Sequence, residues 1–191
     1  TRKQPVTMIG NNITIFGGSQ PKPGDTAYND ALRLGMRLAQ AGFTVITGGY
    51  IGTMEAASRG AAEAGGHVIG VTCDEIESWR PVAKNQWVKE ERRVATLRER
   101  IYTLINTGDA ALALPGGPGT LAEVSMMWNH LLIQAIQPRS LILIWPGWQD
   151  IMEHFNANFG QYIPDGKQKL IQLAPDVDGA VDQLIKLQNQ A

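Results

Sequence analysis

The sequence predicts a single doubly wound α/β domain, a parallel sheet covered by helices on both faces. Three observations carry that prediction. Strand-length apolar runs alternate with helical patterns from one end of the chain to the other. The runs are apolar almost throughout, as strands buried on both sides require. Glycine-rich turns close three of them, after Phe16, Thr47 and Leu114. In a Rossmann-like sheet of this kind all three turns fall on one edge, where ligands bind beyond the carboxyl ends of the strands.

Each element has its own signal. Ile13 to Phe16 reads as a buried strand, followed by Gly17-Gly18-Ser19 and a Pro/Gly-containing loop to about Asp25. From Thr26 to Ala41, Tyr28, Leu32, Gly35, Met36 and Ala39 recur at helical spacing, and Gly42 stops the helix. Phe43 to Thr47 is a second strand, and Thr53 to Ala64 a small-residue helix ended by Gly65-Gly66. His67 to Val71 is the third strand. Residues 73 to 90, polar and mixed with Pro81, Trp79 and Trp87, predict an irregular loop. A charged helix is expected from about Arg92 to Asn106, then a strand from Ala110 to Leu114 and a helix from Thr120 to about Gln134. Ser140 to Ile144 predicts a strand, and Gly147–Asn158 and Val177–Leu187 predict helices.

Composition narrows the function classes. The 191 residues suit one domain spanning 1–191, with residues 1–11 expected to be disordered. A formal net charge of −1 gives no electrostatic reason to expect nucleic-acid or membrane binding. No apolar run reaches the roughly 18 residues of a membrane span, and the polar start lacks a signal-peptide core. The single Cys73 excludes an internal disulfide and fits a reducing, cytoplasmic setting. His67, His130 and His154 show no ligand spacing, so no metal site is expected.

The most specific stretch runs from Ala110 to Glu123, where an apolar strand ends at Pro115 and Gly116, Gly117 and Gly119 follow within four residues. Glycines there let a ligand approach bare main chain, and the first turn of the following helix offers free N–H groups and a positive dipole end. This pattern suggests a phosphate cradle with Glu123 about one turn behind it. Thr120 and Glu123 also fit a capping box, in which both residues would be structural. The turn at Gly48-Gly49-Tyr50-Ile51-Gly52 imitates only half of a dinucleotide fingerprint, and no acidic residue closes the next strand to hold a ribose. A dinucleotide cofactor is therefore disfavoured, and a smaller nucleotide-like ligand is expected at the shared edge.

The motifs Phe16-Gly-Gly-Ser19, Thr47-Gly-Gly-Tyr-Ile-Gly-Thr-Met54, Gly65-Gly-His-Val-Ile-Gly-Val71, Arg100 and Leu114-Pro-Gly-Gly-Pro-Gly-Thr-Leu-Ala-Glu123 together resemble the LOG family. These are cytokinin-activating phosphoribohydrolases once called lysine decarboxylase-like, and the similarity spans roughly Ile13 to Trp145. The last motif matches the family's P-G-G-x-G-T-x-x-E signature. The resemblance implies a homodimer that binds a nucleoside 5′-monophosphate, such as AMP or an N6-substituted AMP, and hydrolyses its N-glycosidic bond without a cofactor. It places catalytic roles on Glu123 and Arg100, and phosphate or nucleotide contacts on Gly116, Gly117, Gly119, Thr120, Gly18, Ser19 and Gly49.

The chain departs from the family pattern at several positions. Ile101 stands where a basic residue follows the arginine, Tyr50 and Glu55 stand where glycines are common, and Pro118 sits where a tyrosine is usual. The Gly-Gly-Pro-Gly-Thr form also resembles molybdenum-cofactor carrier proteins, which gives the alternative of a non-hydrolytic nucleotide or phosphopterin carrier. On pattern alone Arg100 belongs to a charged helix face; it is the resemblance, which implies an arginine at this distance before Pro115, that sets it above Arg92, Arg93 and Arg98. Met126, Met127 and Trp128 read as core or dimer interface, whereas Trp79 and Trp87 could cover a base or pin their loop. Lys84 or Lys89 could supply the basic charge that Ile101 lacks.

Overall fold

A computed structural model of the chain describes residues 11–144 and 146–189. The disorder expected for 1–11 falls, except for Asn11, outside these residues, as does Trp145 at the end of the matched region. In chain order the elements are β1 (Asn12–Phe16), α1 (Thr26–Gln40), β2 (Thr44–Thr47), α2 (Thr53–Glu63), β3 (Val68–Cys73), α3 (Asp74–Trp79) and β4 (Glu90–Val94). Then follow α4 (Leu97–Thr107), β5 (Ala110–Ala113), α5 (Pro118–Leu132), β6 (Leu141–Ile144), α6 (Trp148–Phe159), β7 (Ile171–Ala174) and α7 (Val177–Asn189). The sheet has seven strands in the order β4-β3-β2-β1-β5-β6-β7, and every pairing is parallel.

Side-chain alternation divides each central strand between two cores. Ile13, Ile15, Ala110, Leu112, Ile142 and Ile144 pack under α1, α2 and α7. Phe16, Ala111, Ala113, Leu141 and Leu143 pack under α4, α5 and α6. Both sets are apolar, which is why these strands read as continuous runs.

Two strands escape that signal. The segment expected to open the charged helix is instead the edge strand β4, whose side chains alternate between half-buried and exposed. Its charges are used: Glu91 accepts from the Thr72 hydroxyl at 2.7 Å, and Arg93 pairs with Asp74 and Glu77, both at 2.7 Å. The helix proper starts at Leu97, behind a complete capping box between Thr96 and Glu99. Within the expected loop, Asp74–Trp79 forms the short α3, and Ile171–Ala174 adds the opposite edge strand β7.

Candidate active site

Strand order reverses between β1 and β5, so the turns after these strands flank the crevice. Backbone bonds tie the three glycine turns together. The Gly18 N–H donates to the Pro115 carbonyl at 3.3 Å, while the Thr53 N–H and hydroxyl both donate to the Gly18 carbonyl at 2.9 Å. Gly116 is pressed into this junction: a Cβ there would lie 2.1 Å from Thr120 Oγ1 and 2.9 Å from the Gly18 nitrogen. Gly117 and Gly119 instead face open space.

Helix α5 begins two residues earlier than its sequence pattern suggested, with Gly117 as N-cap and Pro118 in the first turn. That start makes Thr120 a helical residue, and no side chain caps the helix. The capping-box reading of Thr120 and Glu123 is thereby replaced. Leu121 donates its N–H to Gly117 at 3.1 Å. The N–H groups of Gly119 and Thr120 have no such acceptor among the described residues. An uncapped helix end aimed at the switch point is the arrangement an anion fills.

Glu123 lies in the second turn of α5 and is 7% exposed; Arg100, on α4, is 5% exposed. Arg100 is therefore not on a solvated helix face. Its Nε donates to the Val71 carbonyl at 2.8 Å and its Nη2 to the Gly48 carbonyl at 3.0 Å, and its guanidinium sits 5.6 Å from the centre of the Tyr50 ring. Nη1 is left facing Glu123 Oε1 at 3.6 Å. Burial pushes the Glu123 carboxyl up to about 7, and the Arg100 charge opposes that rise. The carboxylate accepts no hydrogen bond from the protein among the described residues, so it is held close to charge without being spent on structure.

Sequence reasoning missed the residues that hold Arg100. A Cβ at Gly48 would lie 1.9 Å from Arg100 Nη2, so glycine there is the condition for the guanidinium's position. Tyr50 is buried, its hydroxyl accepting from the Cys73 N–H at 2.8 Å and contacting Glu77 at 3.2 Å. The apparent departure at Tyr50 thus forms the floor beneath Arg100. Gly49, with φ of +78°, packs against Gly70 and Thr72 and accepts from the Asn85 N–H at 2.8 Å. Ser19 lines a separate small cavity on the other side of the Gly18 junction, with Tyr28 and Glu55.

The remaining candidates are placed as follows. Lys84 pairs with Glu91 at 3.6 Å and Lys89 donates to the Gly66 carbonyl at 2.8 Å. Ile101 packs onto the core beneath α4 and α5. Met127 is core, Trp128 packs edge-on to Phe155, and Trp87 lies under the Arg59 guanidinium, while Trp79 is exposed.

Known proteins resemble this chain in sequence and in fold. The family model described as the SLOG cluster4 family matches residues 10–143. The chain belongs to the SLOG cluster4 family. Among relatives of this family member, a probable cytokinin riboside 5′-monophosphate phosphoribohydrolase of Oryza sativa subsp. japonica is 32% identical over 177 residues, covering 90% of this chain and 76% of the relative. The cytokinin riboside 5′-monophosphate phosphoribohydrolase of Rhodococcoides fascians is 30% identical over 140 residues, covering 68% of this chain and 70% of that one. The molybdenum cofactor binding protein of Rippkaea orientalis shares the fold with a TM-score of 0.73 at 22% identity, covering 95% of this chain and 99% of that one. The Moco carrier protein of Chlamydomonas reinhardtii superposes with a TM-score of 0.69 at 25% identity, covering 94% and 98%.

Proposed function

We propose that this SLOG cluster4 member is a nucleoside 5′-monophosphate phosphoribohydrolase, releasing free base and ribose 5-phosphate. The observation that carries the reading is the buried Arg100–Glu123 pair set one turn behind an uncapped, glycine-lined helix end at the switch point. The names of the rice and Rhodococcoides relatives agree with it.

In this reading the N–H groups of Gly119 and Thr120 hold the 5′-phosphate, Gly117 leaves room for it, and the close-packed Gly116 and Gly18 form the junction beside it. Ribose C1′ then lies toward Glu123. Cleavage breaks the bond between C1′ and the base nitrogen and develops positive charge on the sugar. The Glu123 carboxylate stabilises that charge and takes a proton from the attacking water, whose oxygen bonds C1′. The leaving base finishes with one proton, so the reaction consumes one water and no other reactant. With its carboxyl pushed up to about 7, Glu123 is a stronger base near neutral pH than an ordinary glutamate. Arg100, always charged, cannot act as the acid; it faces the carboxylate and opposes the rise that burial imposes on it.

The reading includes a homodimer and a cytoplasmic setting. Exposed Leu121, Phe159 and Tyr162 on and beside α5 and α6 support the dimer, and the free thiol of Cys73 supports a reducing compartment. A panel of nucleoside 5′-monophosphates, including AMP and N6-isopentenyl-AMP, assayed by chromatography for free base tests the function. Release of base by the native chain and its loss in Glu123→Ala is the expected result.

One observation favours a carrier instead: Ile101 is packed into the apolar core, so α4 offers the crevice a single cation. A pterin co-purifying with the protein, with no turnover of any monophosphate, would establish that reading in place of hydrolysis.

A further inference from the structure

Beside the phosphate cradle, across the Gly18 junction, lies a cavity of about 190 Å³ lined by Ser19, Lys22, Tyr28, Gly52, Glu55 and Arg80 among others. It is smaller than the roughly 300 Å³ at which a site encloses a whole small ligand, so it suits one part of a larger one. Its charges are unbalanced. Lys22 and Arg80 form no ion pair among the described residues. Glu55 is engaged by the Tyr28 hydroxyl at 3.1 Å. Asp25, close in sequence, accepts from the Lys22 backbone N–H at 2.8 Å and does not pair with its ammonium. Arg80 is placed with its guanidinium 5.6 Å from the Trp79 ring, and its Nε is buried with no acceptor. A buried charged donor without an acceptor is costly, and nearly all such groups in folded proteins find one.

We propose that this cavity is a second anion subsite, and that the nucleoside 5′-monophosphate bound by this chain carries a second phosphoryl group elsewhere on the molecule. The Arg80 guanidinium and the Lys22 ammonium bind that group, and Glu55, held by Tyr28, accepts from a neighbouring hydroxyl of the ligand. This inference rests on the nucleotide reading of the cradle and names its substrate class. It gives Glu55 a use at a position where glycine is the family habit. It also supplies, from the α1 and α2 side of the sheet, the positive charge that Ile101 withholds on the α4 side.

The test is calorimetric titration of the Glu123→Gln protein, chosen to prevent turnover, with AMP, ADP and adenosine 3′,5′-bisphosphate at one ionic strength. Adenosine 3′,5′-bisphosphate should bind about tenfold tighter than AMP or better, as a charge-assisted hydrogen bond requires. Preference for ADP alone overturns the inference, because the second group would then extend the 5′-phosphate instead of occupying a subsite of its own. Arg80→Gln and Lys22→Gln, each checked for an intact melting transition, should bring the ratio to AMP close to one. Binding of AMP with equal or weaker binding of both others overturns this inference and leaves the nucleotide reading standing, as does an undiminished ratio in Arg80→Gln. Failure of all three ligands to bind overturns both.

Discussion

Replacing Glu123 with glutamine should stabilise the protein at alkaline pH and leave its stability nearly unchanged below pH 4.5. The carboxyl rises from an ordinary 4.5 to about 7 in the folded chain. At about 1.4 kcal/mol per pH unit, the ionised side chain then costs the fold about 3 kcal/mol above pH 7. The folded state holds this proton more tightly than the unfolded chain, so the contribution is full below 4.5 and is lost as pH rises through 7. Glutamine keeps the shape and removes the charge. For a domain of this size the gain corresponds to a rise in melting temperature of roughly 6–12 °C at pH 8. Scanning calorimetry of native and Glu123→Gln protein at pH 5 and pH 8 reads the difference. A variant less stable than the native chain at pH 8 would reverse the sign, because it would mean that attraction to Arg100 outweighs burial. An equal difference at both pH values would be just as damaging, since it would detach the effect from the proton.

Arg100→Lys should move the acid limb of the activity profile to higher pH: a lysine cannot keep both carbonyl bonds and the approach to Glu123, so the carboxyl rises further. A profile that shifts down, or does not move, contradicts the role given to Arg100. Gly116→Ala should abolish stabilisation by AMP in a thermal-shift assay, since its methyl would meet Thr120 Oγ1 and the Gly18 nitrogen. Gly119→Ala, facing open space inside the first turn of α5, should leave the fold intact or up to about 1 kcal/mol more stable. Tyr50→Phe should cost about 1–3 kcal/mol in urea unfolding, because the Cys73 N–H loses its buried acceptor.

What could be read from the residues divides along physical lines. The central strands were legible because both their faces are buried, which leaves an unbroken apolar run such as Leu141–Ile144. Edge strands have no such signature: β4 is Glu-Glu-Arg-Arg-Val, and its charges imitate a solvated helix until the pairing with β3 is seen. The glycine turns pointed to one edge, and the topology puts the turns after β1 and β5 on either side of the reversal. Whether Glu123 caps its helix depended on where that helix begins, and the earlier start around Gly117 and Pro118 is a matter of two residues. Arg100 was the least legible. Its burial follows from contacts with Val71, Gly48 and Tyr50, which lie 29 to 52 residues away in the chain. The Arg80–Glu55 cavity gave no local signal, because it joins α2, the loop after β1 and the residue after α3.

The proposed hydrolysis stands on Glu123 acting at C1′ of a nucleotide whose phosphate sits on the α5 end. Free adenine and ribose 5-phosphate, measured together from AMP at pH 7 for the native chain and Glu123→Gln, test this most directly. Both products are expected in equal amounts from the native chain, with a loss of about a hundredfold or more in the variant. Equal rates in the two proteins, or no base released from any 5′-monophosphate, would contradict it.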